Sequence, residues 1–78
     1  MMTIQEKQQI GIIAMNATAT IKISDLAKML NVKTPAAAGQ KVSAAWNYFY
    51  RNKQQNICDK IAQTFVDKNG KYAYEKYK

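Results

Sequence analysis

Two helix signals separated by a short break occupy the stretch ISDLAKMLNVKTPAAAGQKVSAAW from Ile23 to Trp46. Asn31 closes the first signal, because asparagine is the non-glycine residue that best tolerates the left-handed conformation at a helix end. Thr34 and Pro35 start the second signal, with threonine as N-cap and proline in the first turn, where its missing N–H costs nothing. The sequence therefore predicts two helices that meet across a tight turn.

The helix before the break is short. Ser24 is a favourable N-cap, and a helix is expected over residues 25–30. Its apolar stripe consists of Leu26, Ala27 and Leu30.

The helix after the break is strongly amphipathic and is expected to extend to about Arg51. At 100° per residue its apolar side is predicted to carry Ala38, Val42, Ala45, Trp46 and Phe49. The opposite side is predicted to carry Ala37, Gln40, Lys41, Ala44, Asn47, Tyr48 and Arg51. Trp46 and Phe49 are accordingly expected in the core.

The N-terminal part adds one more helix and a strand. Thr3 and Glu6 match a capping box, so a helix is predicted over residues 4–16. Residues 18–23, TATIKI, are rich in β-branched side chains and are predicted to form a short strand. Gly11 and Gly39 fall within the first and third helices, where close packing is the expected reason for a glycine.

The sequence pattern of the C-terminal part fits more than one secondary structure. Residues 54–63 fit either a helix or an alternating strand, with a helix passing into a strand near Gln63 as the favoured interpretation. Asn69 and Gly70 separate two β-prone runs, which is a strong hairpin signal. In that register Phe65 opposes Tyr74 and Val66 opposes Ala73.

Composition indicates one small basic domain spanning residues 1–78. With 47% apolar and 22% charged residues the chain is expected to fold, and its net charge of +7 favours an anionic partner. No acid lies between Asp25 and Asp59, whereas that stretch carries Lys28, Lys33, Lys41, Arg51 and Lys53. Basic charge is thus concentrated around the third helix.

The run from Leu26 to Val32, LAKMLNV, resembles the L-A-x-x-L-G-V core of winged helix-turn-helix proteins, and Thr34-Pro35 begins the next helix as in some bacterial regulators. The resemblance implies an α+β, mainly helical fold, with three helices, a short strand and a C-terminal β-hairpin wing. A helix between Arg51 and Gln63 would be an addition, since the hairpin normally follows the third helix directly. The resemblance also implies double-stranded DNA as partner, with the third helix in the major groove and the wing on the backbone or in the minor groove.

Candidate DNA-binding residues follow from this placement. Lys33 and Thr34, at the start of the third helix, are expected to contact phosphate, and so are Lys68, Asn69 and Lys71 at the hairpin tip. Base contacts are expected from Gln40, Lys41, Ala44, Asn47 and Arg51. Because glutamine and asparagine pair with adenine and alanine touches the thymine methyl, A·T-rich DNA, or little sequence preference, is predicted.

The leading hypothesis is a small DNA-binding regulator or an accessory factor of a phage or mobile element, acting as a dimer or in arrays. The alternatives are a winged-helix module that binds another protein and an RNA-binding or ribosome-binding protein, with tyrosines as contact residues. An enzyme is not expected, because the chain has no histidine and its five acids show no paired spacing. No metal or cofactor is predicted, since one cysteine cannot build a zinc site. No membrane segment is expected, and the predicted location is the cytoplasm.

Overall fold

The computed structural model describes residues 3–67, which form a mainly helical domain with a two-stranded parallel sheet. The helices are α1 (Ile4–Asn16), α2 (Ile23–Met29), α3 (Pro35–Arg51) and α4 (Gln55–Thr64). The strands are β1 (Ile21–Lys22) and β2 (Phe65–Val66). The prediction of a mainly helical α+β fold is confirmed, while the described residues contain four helices rather than the three of the predicted pattern.

Helix α1 has the predicted bounds, and its start is fixed locally. The Thr3 hydroxyl accepts a hydrogen bond from the Glu6 backbone N–H at 3.1 Å, and the Glu6 carboxylate accepts one from the Thr3 N–H at 3.4 Å. Together these bonds form the predicted capping box, which satisfies donors left free at the first turn.

The predicted strand over residues 18–23 is wrong in length, because only Ile21 and Lys22 are extended and paired. Helix α2 already begins at Ile23, its N-cap is Lys22 without a side-chain cap, and the predicted cap Ser24 lies inside the helix. Ile23 is buried in the core. Packing of its side chain therefore outweighs both the β-preference of isoleucine and the capping preference of serine.

The break between α2 and α3 forms as predicted. Asn31 has a φ of 56°, its N–H donates to the Lys28 carbonyl, and the Val32 N–H donates to the Ala27 carbonyl. This pair of bonds is a Schellman motif, in which a left-handed residue ends the helix and satisfies its last carbonyls. Thr34 caps α3 by accepting a hydrogen bond from the Ala37 N–H at 3.1 Å.

Helix α3 ends at a second Schellman motif, which the sequence analysis did not predict. Lys53 has a φ of 59°, its N–H donates to the Tyr50 carbonyl, and the Gln54 N–H donates to the Phe49 carbonyl. Lysine, unlike glycine or asparagine, does not favour the left-handed conformation. The packing of α3 against α4 on either side of the turn therefore accounts for it.

Residues 54–63 fitted either a helix or a strand in the sequence. In the structure residues 55–63 belong to helix α4, and β2 follows α4 directly. Strand β2 pairs in parallel with β1, with Ile21 opposite Phe65 and Lys22 opposite Val66. This pairing was not predicted. The predicted hairpin at Asn69 and Gly70, with its partners Ala73 and Tyr74, lies outside the described residues.

The core lies between α3 and the three helices α1, α2 and α4, which all pack against it. Its largest fully buried side chains are Phe65, Ile10, Leu26, Ile61, Val42 and Cys58. Phe49 is buried as predicted, while Trp46 is half-buried and packs against the core. The Cys58 thiol donates to the Trp46 carbonyl at 3.4 Å, and burial raises the pKa of that thiol.

Gly11 and Gly39, the two glycines within helices, differ in how closely other side chains approach them. A Cβ on Gly11 would lie 2.6 Å from Cζ of Phe49, so the predicted close packing of α1 on α3 is confirmed there. At Gly39 the prediction is wrong, because a Cβ would meet nothing within 4 Å.

Candidate nucleic-acid interface

The exposed face of α3 is the surface on which the candidate base-reading residues were placed. Gln40, Asn47 and Arg51 are exposed, and they lie opposite the buried residues of the same helix, Ala38, Val42, Ala45 and Phe49. We call the surface formed by Ala36, Gln40, Asn47 and Arg51 the outer face of α3. The amphipathic pattern of the sequence is therefore confirmed for these positions.

Lys41 is not part of the outer face. Its Nζ lies 2.7 Å from Oε2 of Glu6 on α1, and only 23% of its side chain is exposed. A helical projection separates only two broad sides and puts Lys41 with Gln40, whereas in the structure Lys41 points in a third direction, into the seam between α3 and α1. Lys41 is thus a bridge between helices in this structure rather than an outward-pointing cation.

The same seam holds a second cation. Nζ of Lys7 lies 5.6 Å from the ring centroid of Tyr48, a distance at which a cation is attracted to the ring face. Tyr48 was predicted on the polar side of α3 but is half-buried, and its ring lies edge-on to Phe49 with 5.1 Å between centroids.

The ion pair determines how Glu6 titrates. The hydrogen bond from Lys41 and, next, the backbone hydrogen bond from Thr3 lower the pKa of the Glu6 carboxyl below its ordinary value of 4.5. The carboxylate is therefore charged at neutral pH and keeps Lys41 occupied.

The remaining candidates differ in how freely they can contact a ligand. Lys33 and Arg51 are exposed near the two ends of α3, whereas Ala44 is half-buried and offers little contact area. The Thr34 hydroxyl is engaged in the helix cap. The Asn47 side-chain amide donates to the Ser43 carbonyl at 3.0 Å. The Oδ1 and the second N–H of Asn47 are therefore the groups that can bind a partner.

The wing residues Lys68, Asn69 and Lys71 lie outside the described residues, and the second predicted phosphate contact stays a prediction.

The position of Lys53 was not predicted from the sequence. This lysine is exposed and sits at the left-handed position directly after α3, within a few residues of Arg51. The polar run RNKQQN spans the end of α3 and the start of α4 and marks the boundary between them, but no glycine signals the turn itself.

The outer face of α3 has a definite charge arrangement. Its middle part, around Gln40, Ser43 and Asn47, carries no formal charge. The basic side chains Lys33, Arg51 and Lys53 lie at its two ends, and α3 with its 17 residues is about 25 Å long. With this arrangement the basic side chains can contact phosphates near both ends of α3. The uncharged amides of Gln40 and Asn47 can then contact groups that lie between those phosphates.

Among residues 3–67, no group of three or more His, Cys, Asp or Glu side chains is placed to hold a metal ion. The described helices include none with the length and apolar character needed to cross a bilayer.

Comparisons with known proteins gave no match. No family model, curated protein or solved structure is significantly similar to the chain.

Proposed function

We propose that the protein binds double-stranded DNA with the outer face of α3, presented by the α2–turn–α3 unit as in a helix-turn-helix protein. The protein would act as a small regulator or accessory factor. The observation that carries the proposal is the acid-free stretch between Asp25 and Asp59, whose longest helix turns uncharged amides outward between basic ends. Asn31 and Thr34 hold the two helices across a short turn, which favours a rigid reading helix.

The charge arrangement suits the major groove. A groove about 12 Å wide admits one helix, and its floor presents hydrogen-bonding edges between two rows of phosphates. In this binding mode Gln40 and Asn47 meet base edges, and Lys33, Arg51 and Lys53 meet phosphates. Because Arg51, the only arginine of the chain, contacts phosphate in this mode, the amides of Gln40 and Asn47 read the bases, and amides favour A·T-rich sites or weak sequence preference.

The test is binding of a fluorescein-labelled A·T-rich duplex, measured by anisotropy between 25 and 300 mM salt. Neutralising roughly four or five phosphates predicts a log–log slope of about −4. Lys33→Gln and Arg51→Gln should each lower affinity several-fold and make the slope about 1 less negative.

The matched control is Lys22→Gln, which removes the same charge from an exposed lysine of β1 at the end of α2 farther from the turn. Affinity that does not respond to salt, or equal losses in all three variants, would exclude the outer face of α3 as the contact.

A second candidate is single-stranded nucleic acid, favoured by the aromatic pair at the end of α3. The rings of Trp46 and Tyr50 stack with centroids 4.9 Å apart and planes at 11°, and Tyr50 is 56% exposed. Stacked aromatic side chains are common platforms for unpaired bases. The same anisotropy assay with a single-stranded RNA distinguishes this candidate from duplex binding. If the aromatic pair is the contact, Tyr50→Ala should weaken RNA binding and leave duplex binding unchanged.

A further inference from the structure

Helix α1 presents a face that nothing in the described residues covers. Its exposed residues, which we call the outer face of α1, are Ile4, Gln5, Gln8, Gln9, Ile12, Met15 and Asn16. The apolar members are well exposed, at 57% for Ile4, 60% for Ile12 and 47% for Met15. Three large apolar side chains exposed on one helix face differ from the singly scattered apolar residues that are normal on a protein surface.

This outer face of α1 is free of charge because both charged residues of the helix point elsewhere. Glu6 binds Lys41 of α3 at 2.7 Å, and Nζ of Lys7 lies over the Tyr48 ring. In a chain with a net charge of +7, a face without lysine or arginine lets two copies approach without opposing like charges.

The composition of the face also suits symmetric pairing. A two-fold interface brings each surface against itself, so its groups must be self-complementary. Apolar side chains meet this condition, and so do glutamine amides, which both donate and accept hydrogen bonds. Gln5, Gln8, Ile12 and Met15 follow the three- and four-residue spacing of a helix–helix seam.

We propose that the outer face of α1 is a self-association surface, at which α1 of one protomer packs against α1 of a second copy in a two-fold dimer. A helix of 13 residues offers about 20 Å of seam, less than a standard interface of about 800 Å² per partner requires. The dimer is therefore expected to be weak and to form only at high protein concentration. The proposal does not depend on DNA binding, since this face is separate from the outer face of α3.

The test is sedimentation equilibrium of the full chain from 5 µM to 1 mM at 150 mM salt. The expected result is an apparent mass that rises from the monomer value of 8.9 kDa towards twice that value. The double variant Ile12→Gln/Met15→Gln keeps charge and helix propensity, and should weaken dimerisation at least tenfold. The control Met29→Gln removes an equally exposed apolar side chain, 54% exposed on α2, and should dimerise as the unsubstituted chain does.

Circular dichroism melting of each variant shows whether the domain is still folded. A monomer at every concentration, or dimerisation unchanged in the double variant, would overturn the proposal. If the chain stays monomeric and the double variant melts far below Met29→Gln, the face stabilises the monomer itself, which also overturns the proposal.

Discussion

The ammonium of Lys41 on α3 lies 2.7 Å from a carboxylate oxygen of Glu6 on α1, although the two residues are 35 positions apart in the sequence. Glu6 is also the N3 residue of the α1 capping box. One carboxylate thus fixes the start of α1 and the position of α1 against α3.

If the Lys41 ammonium is held by Glu6, replacing it should affect DNA binding less than replacing an outward cation. We expect Lys41→Gln to lower duplex affinity by less than about twofold, against several-fold for Arg51→Gln. Anisotropy titrations of both variants at one salt concentration measure the difference. Equal losses would mean that Lys41 leaves Glu6 to contact phosphate.

The lowered pKa of Glu6 predicts how stability depends on pH. The Glu6 carboxylate is stabilised by folding, so its contribution is fully present above the unfolded value of 4.5 and is lost as the pH falls through the lower folded pKa. The melting temperature should therefore decline below pH 4.5, and the decline should be shallower in Glu6→Gln. Thermal melts of both proteins between pH 2 and 7 test this, and parallel curves would contradict it.

The two glycines should respond in opposite directions to alanine. Gly11→Ala places a methyl group 2.6 Å from Cζ of Phe49, and overpacking of this kind should lower the free energy of unfolding by about 1–3 kcal/mol. Gly39→Ala fills open space within α3 and should raise it by about 0.5–1 kcal/mol through helix propensity. Urea denaturation of the pair tests both signs, and a stabilising Gly11→Ala would show that Phe49 moves aside easily.

The left-handed residue after α3 offers a stabilising substitution. Lys53 adopts a φ of 59°, which costs an L-residue about 1–2 kcal/mol relative to glycine. Lys53→Gly should therefore raise the free energy of unfolding by about 1 kcal/mol, while Lys53→Ala, which removes the same charge but keeps the strain, should not. Asn31→Gly should gain less, because asparagine tolerates this conformation. Chemical denaturation of the three variants separates backbone strain from charge.

Several local features of the fold were predictable because their causes lie within a few residues. The capping box of Thr3 and Glu6, the left-handed Asn31 and the Thr34–Pro35 start of α3 each depend on neighbouring backbone groups. The buried and exposed sides of α3 follow in the same way from its helical period. The positions of Gln40, Asn47 and Arg51 in the candidate site could therefore be predicted from the sequence.

Other features depend on contacts between distant segments. The start of α2 at Ile23 reflects burial of that side chain, and the left-handed Lys53 reflects how α4 packs back after α3. Open space at Gly39 and a filled contact at Gly11 are indistinguishable in the sequence, because each is a glycine inside a helix. Only the neighbouring helix decides between them.

Local sequence signals set the bounds of α1, the break at Asn31 and the start of α3, and the helical period put Gln40 and Arg51 on the polar side of α3. Contacts across the core turn Lys41 towards Glu6 and pair Ile21 in parallel with Phe65. Caps and helical faces arise from groups a few residues apart, whereas ion pairs between helices and strand pairing arise from segments that are brought together by the packed core.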